Sequence, residues 1–217
     1  MSNGNRMKNG NRIYSWRLFM YSIIKRLGDI LLSLIGIIIL CPVFMIIAIA
    51  IKLDSEGPVI FKQKRFGIHK EYFYILKFRS MKIDAPKNVA PRNLYNPEQW
   101  ITKVGAFLRK TSLDELPQLF NILVGNMSIV GPRPAGINEL DLIAERDKYG
   151  ANDILPGLTG WAQINGRDTL SVEMKTELDG YYVKHLSLIM DIRCIVKTIP
   201  YVLKRKGIVE GSGKKES

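Results

Sequence analysis

The sequence is poor in the residues from which most metal and acid–base sites are built. Only two cysteines occur in 217 residues, Cys41 inside an apolar run and Cys194 in a predicted helix. Neither has a metal-ligand spacing, which argues against a cysteine metal site and predicts a reducing, cytosol-facing location. His69 and His185 stand alone, so a histidine-based mechanism has no basis here. Neither a Walker loop nor a dinucleotide fingerprint occurs, and no internal repeat is visible. Acidic residues are in deficit: 20 against 32 basic ones give a formal charge of +12. That imbalance implies an anionic partner; nucleic acid, anionic lipid and phosphorylated substrates all fit, so charge alone does not choose. The length suits one domain with a real core.

Charge is missing altogether between Ile30 and Ile51, a run about long enough to cross a hydrocarbon core. It is too long and too far into the chain for a cleaved signal peptide. Arg17, Lys25 and Arg26 precede it, and Lys52, Lys62 and Lys64 follow. Positive flanks on both sides give no orientation under the positive-inside rule, and no second long apolar run brings the chain back. Pro42 removes one amide donor near the middle of the run. A kinked spanning helix tolerates such a break, and so does a proline-broken helix that enters the bilayer, bends at Pro42 and leaves on the same face; the symmetric charge favours the second. Upstream, residues 1–12 read as a disordered basic arm. Ile13 to Arg26 mixes Tyr14, Trp16, Phe19 and Tyr21 with cations, as an interfacial helix on anionic lipids does.

Downstream, Val59–Phe61 and Tyr72–Phe78 read as short strands of a hairpin. Asp84–Trp100 is a proline-punctuated loop, and Thr102–Lys110 a helix. Gly136–Tyr149 reads as a further helix, Leu155–Trp161 as a glycine-rich turn, and Ala162–Ile164 as a strand. Ser171–Lys184 and Leu186–Lys206 are predicted helices, the second with an apolar stripe equally suited to a core or a membrane surface. The tail from Gly211 reads as disordered. The fold class is α+β and helix-dominated: a small cytosol-facing globular domain, anchored by the re-entrant helix and by amphipathic interfacial helices. The divisions are 1–24 (arm and interfacial helix), 25–53 (membrane helix), 54–207 (catalytic domain) and 208–217 (tail).

The most informative stretch is Thr111–Pro134, TSLDELPQLFNILVGNMSIVGPRP. Two adjacent carboxylates, Asp114 and Glu115, fall in the first turn of a predicted helix with a buried face from Leu116 to Leu123. Gly125 ends that helix, and Met127–Val130 reads as a strand. Arg133 follows between two prolines that restrict its backbone. A purely structural account exists: Ser112-Leu113-Asp114-Glu115 has the pattern of a capping box with Ser112 as N-cap. Against it stands the company of cations, Arg109 and Lys110 before the pair and Arg133 after it.

SLDELPQLFNILVGNMSIVGPRP closely resembles the signature of the bacterial sugar transferase family, the monotopic phosphoglycosyl transferases acting on polyprenyl phosphate. The resemblance extends over Ile24 to Gly207 and includes PVIFKQKRFG, YILKFRSM and LPGLTGWAQINGR in that order. It implies a re-entrant membrane helix broken at a proline, here in Cys41-Pro42 where the family often has Ser-Pro. The family also shows aromatic residues where this chain has Val172 and Thr176, a difference that bears on sugar recognition. The resemblance assigns Asp114 as nucleophile on the sugar-linked phosphorus of a nucleotide sugar, expected to be UDP-linked. Polyprenyl phosphate, expected to be undecaprenyl phosphate, then takes the phosphosugar.

Both substrates are polyanions, so their reaction needs neutralising charge. Adjacent helix residues point roughly 100° apart, so Asp114 and Glu115 take different roles: nucleophile, and metal ligand or positioning group. Mg²⁺, bound by Asp114 and Glu115 with substrate phosphate, is the expected cofactor. Arg133 suits a forked grip on phosphate; Arg109, Lys77, Arg79 and Arg167 are further candidates. The expected location is the cytoplasmic face of the bacterial cell membrane, and nucleic acid is not an expected partner. Three other classes share some of these features. A glycosidase would place its carboxylates on separate elements at about 5 Å or more. A nucleic-acid binder or a membrane scaffold would not need Asp114.

Overall fold

The structure, a computed structural model, describes residues 3–86, 96–166 and 169–203. Helix α1 (Asn3–Asp54) is 52 residues long and carries Pro42 inside it. It is followed by strands β1 (Ile60–Phe66) and β2 (Tyr72–Phe78), then helices α2 (Lys103–Thr111) and α3 (Gln118–Val124). Strand β3 (Ser128–Val130), helix α4 (Leu140–Asp147) and strand β4 (Gly157–Thr159) come next. Helices α5 (Trp161–Ile164), α6 (Val172–Lys184) and α7 (Leu188–Leu203) complete the order. The chain is helix-dominated α+β, as its patterning predicts.

Several boundaries differ from those expected. The basic stretch from Asn3 and the aromatic stretch from Ile13 are one continuous helix with the apolar run, instead of a disordered arm and a separate interfacial helix. Once the apolar run is helical, extending it costs only propagation. Pro42 does not interrupt α1. One missing donor is a local cost, and the turns after it are held by packing: Val43, Phe44, Ile47 and Ile51 join Phe78, Leu108, Leu113 and Leu116 in one cluster. The segment 162–164 is a turn of helix, and the strand lies just before it, where Gly157–Thr159 pairs in parallel with β3. Most of the proline-punctuated loop and the C-terminal tail lie outside the described residues.

By length and composition, Leu18–Asp54 could cross a membrane, and it is the one such helix among the described residues. Its relation to the rest of the domain is more specific than that. Arg26 donates to the carbonyls of Ile122 (2.7 Å) and Leu123 (2.9 Å), capping the C-terminal end of α3. The Asp29 carboxylate accepts from the Ile129 amide at 3.0 Å. At the other end of the run, Asp54 accepts from the Val104 amide at 2.9 Å. One side of α1 is therefore bonded to the domain from Arg26 to Asp54. Leu27, Leu31, Ile35, Ile38, Ile39, Ile46 and Ile49 remain exposed.

Strands β1 and β2 form the expected antiparallel hairpin, with Phe61 opposite Lys77. Glycines permit the second, parallel pair. A Cβ at Gly157 would lie 2.1 Å from the Gly131 amide nitrogen, so the sheet edge that presents GPRP closes only without side chains there. Behind it, Val130, Ile164, Tyr182, Met190 and Cys194 form the core between the sheet and α7. Tyr182 donates to Asp191 at 2.6 Å, and Lys25 pairs with the same carboxylate at 2.9 Å, which ties α7 to α1.

Candidate active site

The two carboxylates sit on a single turn of 3-10 helix, Leu113–Glu115, between α2 and α3. The capping box does not form. Ser112 adopts a left-handed backbone (φ 57°), and its side chain makes no cap hydrogen bond. Pro117 explains the short turn: it has no amide to donate to Leu113, so the ladder cannot pass through and α3 starts afresh at Gln118. The Leu116 amide instead bonds the Leu113 carbonyl at 3.2 Å, the tighter 3-10 pattern. With three residues per turn, neighbouring side chains diverge by about 120°. Leu113 and Leu116 pack into the cluster on α1 while Asp114 and Glu115, each 9% exposed, turn away from it.

Glu115 is clamped. Its Oε1 accepts from Lys77 Nζ and from Arg133 Nη2, both at 3.0 Å. Lys77 comes from β2 and Arg133 from the loop after β3, so one carboxylate oxygen joins the hairpin to the GPRP segment. Asp114 differs. Burial is the largest influence on it and raises its pKa; Lys77 opposes this, Glu115 adds to it, and Arg109 and Arg133 oppose it. Thus Asp114, Glu115, Lys77, Arg109 and Arg133 occupy one neighbourhood, as the sequence suggests.

Arg79 does not join them, and its assignment to phosphate is corrected. It is 5% exposed, donates to the Ser55 carbonyl (2.7 Å), to Ser55 Oγ (3.0 Å) and to the Glu56 carbonyl, and so caps the end of α1. A helix C-terminus attracts a cation for the same electrostatic reason a phosphate does. Arg167 lies outside the described residues.

Asn121 lies buried on α3. Its side chain accepts from the Leu76 amide (2.9 Å) and donates to the Tyr74 carbonyl (2.8 Å), fixing α3 to the strand that carries Lys77. The available signal was a polar residue on the apolar face of a helix. Arg65 reaches the Pro134 carbonyl at 3.4 Å and was likewise not foreseen.

Among the described residues no group of three or more His, Cys, Asp or Glu side chains forms a metal centre. The pair on the 113–115 turn still fits a hard cation. Both are carboxylates on one short turn, and carboxylate oxygens are the donors such an ion takes. Mg²⁺ needs only one or two carboxylates when substrate phosphate completes its shell.

A sequence model described as bacterial sugar transferase matches residues 20–205. This chain belongs to the bacterial sugar transferase family. It is 41% identical over 190 residues to a UDP-glucose:undecaprenyl-phosphate glucose-1-phosphate transferase of Escherichia coli (strain K12), covering 82% of this chain and 39% of that protein. It is 42% identical over 189 residues to the uncharacterized sugar transferase EpsL of Bacillus subtilis (strain 168), covering 86% and 90%. It is 37% identical over 195 residues to the exopolysaccharide production protein PSS of Rhizobium leguminosarum bv. phaseoli, covering 84% and 96%. The chain thus spans about two fifths of the glucose-1-phosphate transferases it matches, and most of the other two family members.

Proposed function

We propose that this chain transfers a sugar 1-phosphate from a UDP-sugar to a polyprenyl phosphate, undecaprenyl phosphate in the bacterial membrane. The products are polyprenyl-diphosphate-sugar and UMP, as in the first membrane step of glycoconjugate or exopolysaccharide synthesis. The observation that carries this is the pair on the 113–115 turn. A buried carboxylate with a raised pKa stands beside one clamped by two cations, on a turn packed directly on the apolar helix.

Asp114 is the nucleophile. Its oxygen attacks the sugar-bearing phosphorus, the bond from that phosphorus to the bridging oxygen breaks, and UMP leaves with the electron pair. A phosphate oxygen of the lipid then attacks the same phosphorus and the acyl-phosphate bond to Asp114 breaks, restoring the carboxylate. Two displacements keep two polyanions from having to meet directly. Burial raises the energy of the Asp114 anion, which favours bond formation at its oxygen. Lys77, Arg109 and Arg133 supply positive charge around the transferred phosphoryl group. Glu115 holds Lys77 and Arg133 in place and, with Asp114, would hold Mg²⁺. Bound there with substrate phosphate, Mg²⁺ would supply charge neutralisation.

In this proposal the membrane helix re-enters by bending at Pro42 while its helical turns continue, and the domain lies on the cytoplasmic face. Both ends of the apolar run bond to one domain, Arg26 and Asp29 at one end and Asp54 at the other. A helix spanning the bilayer would carry those ends to opposite sides. The exposed leucines and isoleucines of α1 then face acyl chains, and anionic lipid meets the basic flanks.

The test uses detergent-solubilised protein and a panel of UDP-sugars without polyprenyl phosphate. The expected result is release of one UMP per protein and a mass gain of one phosphosugar, mapped to Asp114. No adduct under conditions that preserve acyl phosphates, with initial rates of ternary-complex form, would overturn the covalent route.

A further inference from the structure

The GPRP loop has little means of holding itself. Pro132 and Pro134 have no amide to donate, so beyond the Gly131 amide, which donates to the Thr159 carbonyl at 2.9 Å, the backbone around Arg133 is held mainly through its carbonyls. Different elements take those carbonyls. Pro132 accepts from the Gly157 amide at 2.8 Å, Ala135 from the Phe66 amide at 3.0 Å and Pro134 from Arg65 at 3.4 Å. The Arg133 carbonyl accepts from Nη1 of Arg146, on α4, at 3.0 Å.

Arg146 is aimed from the other side. Its Nε and Nη2 lie 2.8 and 2.7 Å from Oδ2 of Asp179, on α6. Arg146 is 5% exposed and Asp179 1%. A buried ion pair of this kind is seldom worth more to stability than apolar side chains of the same volume. Here it orients one guanidinium edge and leaves the remaining nitrogen for the Arg133 backbone. The fold admits the pair through a close helix approach: a Cβ at Gly180 would lie 2.4 Å from Cδ1 of Tyr149. Arg133 thus has its main chain fixed by a buried guanidinium while its own guanidinium reaches Glu115 at 3.0 Å.

We propose that Arg146, oriented by Asp179, is a positioning residue that sets where Arg133 presents its guanidinium to the transferred phosphoryl group. This rests on the assignment of Arg133 to phosphate above. It places a requirement of the site on α4 and α6, two helices that contribute no side chain to the carboxylate turn. Arg146→Lys keeps a cation beside Asp179 but has no fork with which to reach the Arg133 carbonyl.

A double-mutant cycle tests it, using the full chain in detergent and whichever UDP-sugar the wild type turns over. Arg146→Lys is expected to lower kcat/KM about tenfold, and to do nothing beyond about twofold when Arg133 is already alanine. Asp179→Asn, which leaves Arg146 with a neutral partner, is expected to follow the same pattern. Losses that multiply in the Arg133→Ala background, or no loss from either variant, overturn the proposal. So does a fall in melting temperature with full activity regained on cooling, which would mark the pair as a stabilising contact only. If Arg133→Ala alone leaves the rate unchanged, the phosphate assignment itself fails and this inference falls with it. The two failures are therefore distinguishable.

Discussion

Lys77, near the end of β2, and Arg79, just past it, lie two residues apart, yet they belong to different regions of the molecule. Lys77 points at Glu115 and helps hold the carboxylate turn. Arg79 points at the end of α1 and is spent on the carbonyls of Ser55 and Glu56. What separates them is the kind of negative charge each meets. Lys77 meets a carboxylate that a second cation, Arg133, also reaches, beside the buried Asp114. Arg79 meets the partial charges of a helix terminus, satisfied within the fold. A basic residue near the proposed phosphate site is therefore not by that fact a phosphate ligand; its partner decides.

The sharpest contrast should come from Asp114→Asn. On the site side of the comparison, activity should fall by about three orders of magnitude or more, since a neutral amide cannot form the acyl phosphate. Stability should not fall. Burial raises the Asp114 pKa, so its folded-state value lies above the unfolded one. Below the unfolded pKa the residue is protonated in both states and contributes nothing. Above the folded pKa, ionisation favours the unfolded chain. The asparagine variant should accordingly melt at the same temperature as wild type in acid and at an equal or higher one at neutral pH. A variant that melts lower at neutral pH would place Asp114 on the structural side with Arg79.

Arg133→Lys comes next. It keeps the charge beside Glu115 but loses the fork, and turnover should drop by roughly tenfold to a hundredfold with little change in melting temperature. A marked loss of stability would show that Arg133 resembles Arg79 more than Lys77. Arg79→Met is the mirror experiment. Removing the donor to the α1 carbonyls should cost about 2–3 kcal/mol of stability. The rate per folded molecule should stay unchanged. Thermal melting and active-site titration by the UMP burst separate the two quantities.

How much of this was legible beforehand depends on whether the partner was close in sequence. The hairpin, α2, α3 and the Gly125 cap follow from local patterning, and all are present. The gathering of Asp114, Glu115, Arg109, Lys77 and Arg133 followed from the family motifs, which run through the whole segment. Arg79 was misassigned because its partner, the end of α1, is about 24 residues upstream and offers only backbone. No side-chain pattern announces that. The grip of Arg146 on the Arg133 carbonyl was hidden for the same reason, and Asn121 likewise bonds to main chain. The helix predicted from Ser112 does not form where the local rule is strongest, because Pro117, two residues past the capping-box pattern, removes the amide that would continue the ladder.

That last difference gives the smallest effect and a clean one. A capping box would make Ser112 worth about 0.5–2 kcal/mol, lost on replacement by alanine but largely kept with glycine. In the fold, Ser112 sits at φ 57° and its hydroxyl is buried without a hydrogen-bond partner among the described residues. The left-handed position is one that glycine occupies without the Cβ penalty. Ser112→Gly should therefore raise stability by about 0.5–1 kcal/mol, the backbone relief and the lost polar burial together exceeding the added freedom of the unfolded chain. Ser112→Ala should be close to neutral, since it removes a buried hydroxyl but keeps the Cβ. Chemical denaturation of both variants reads the difference directly. If alanine costs a full cap while glycine gains nothing, the helix begins at Ser112 after all. Asp114 and Glu115 would then diverge by the α-helical angle, and the side-chain layer that separates them from α1 would have to be redrawn.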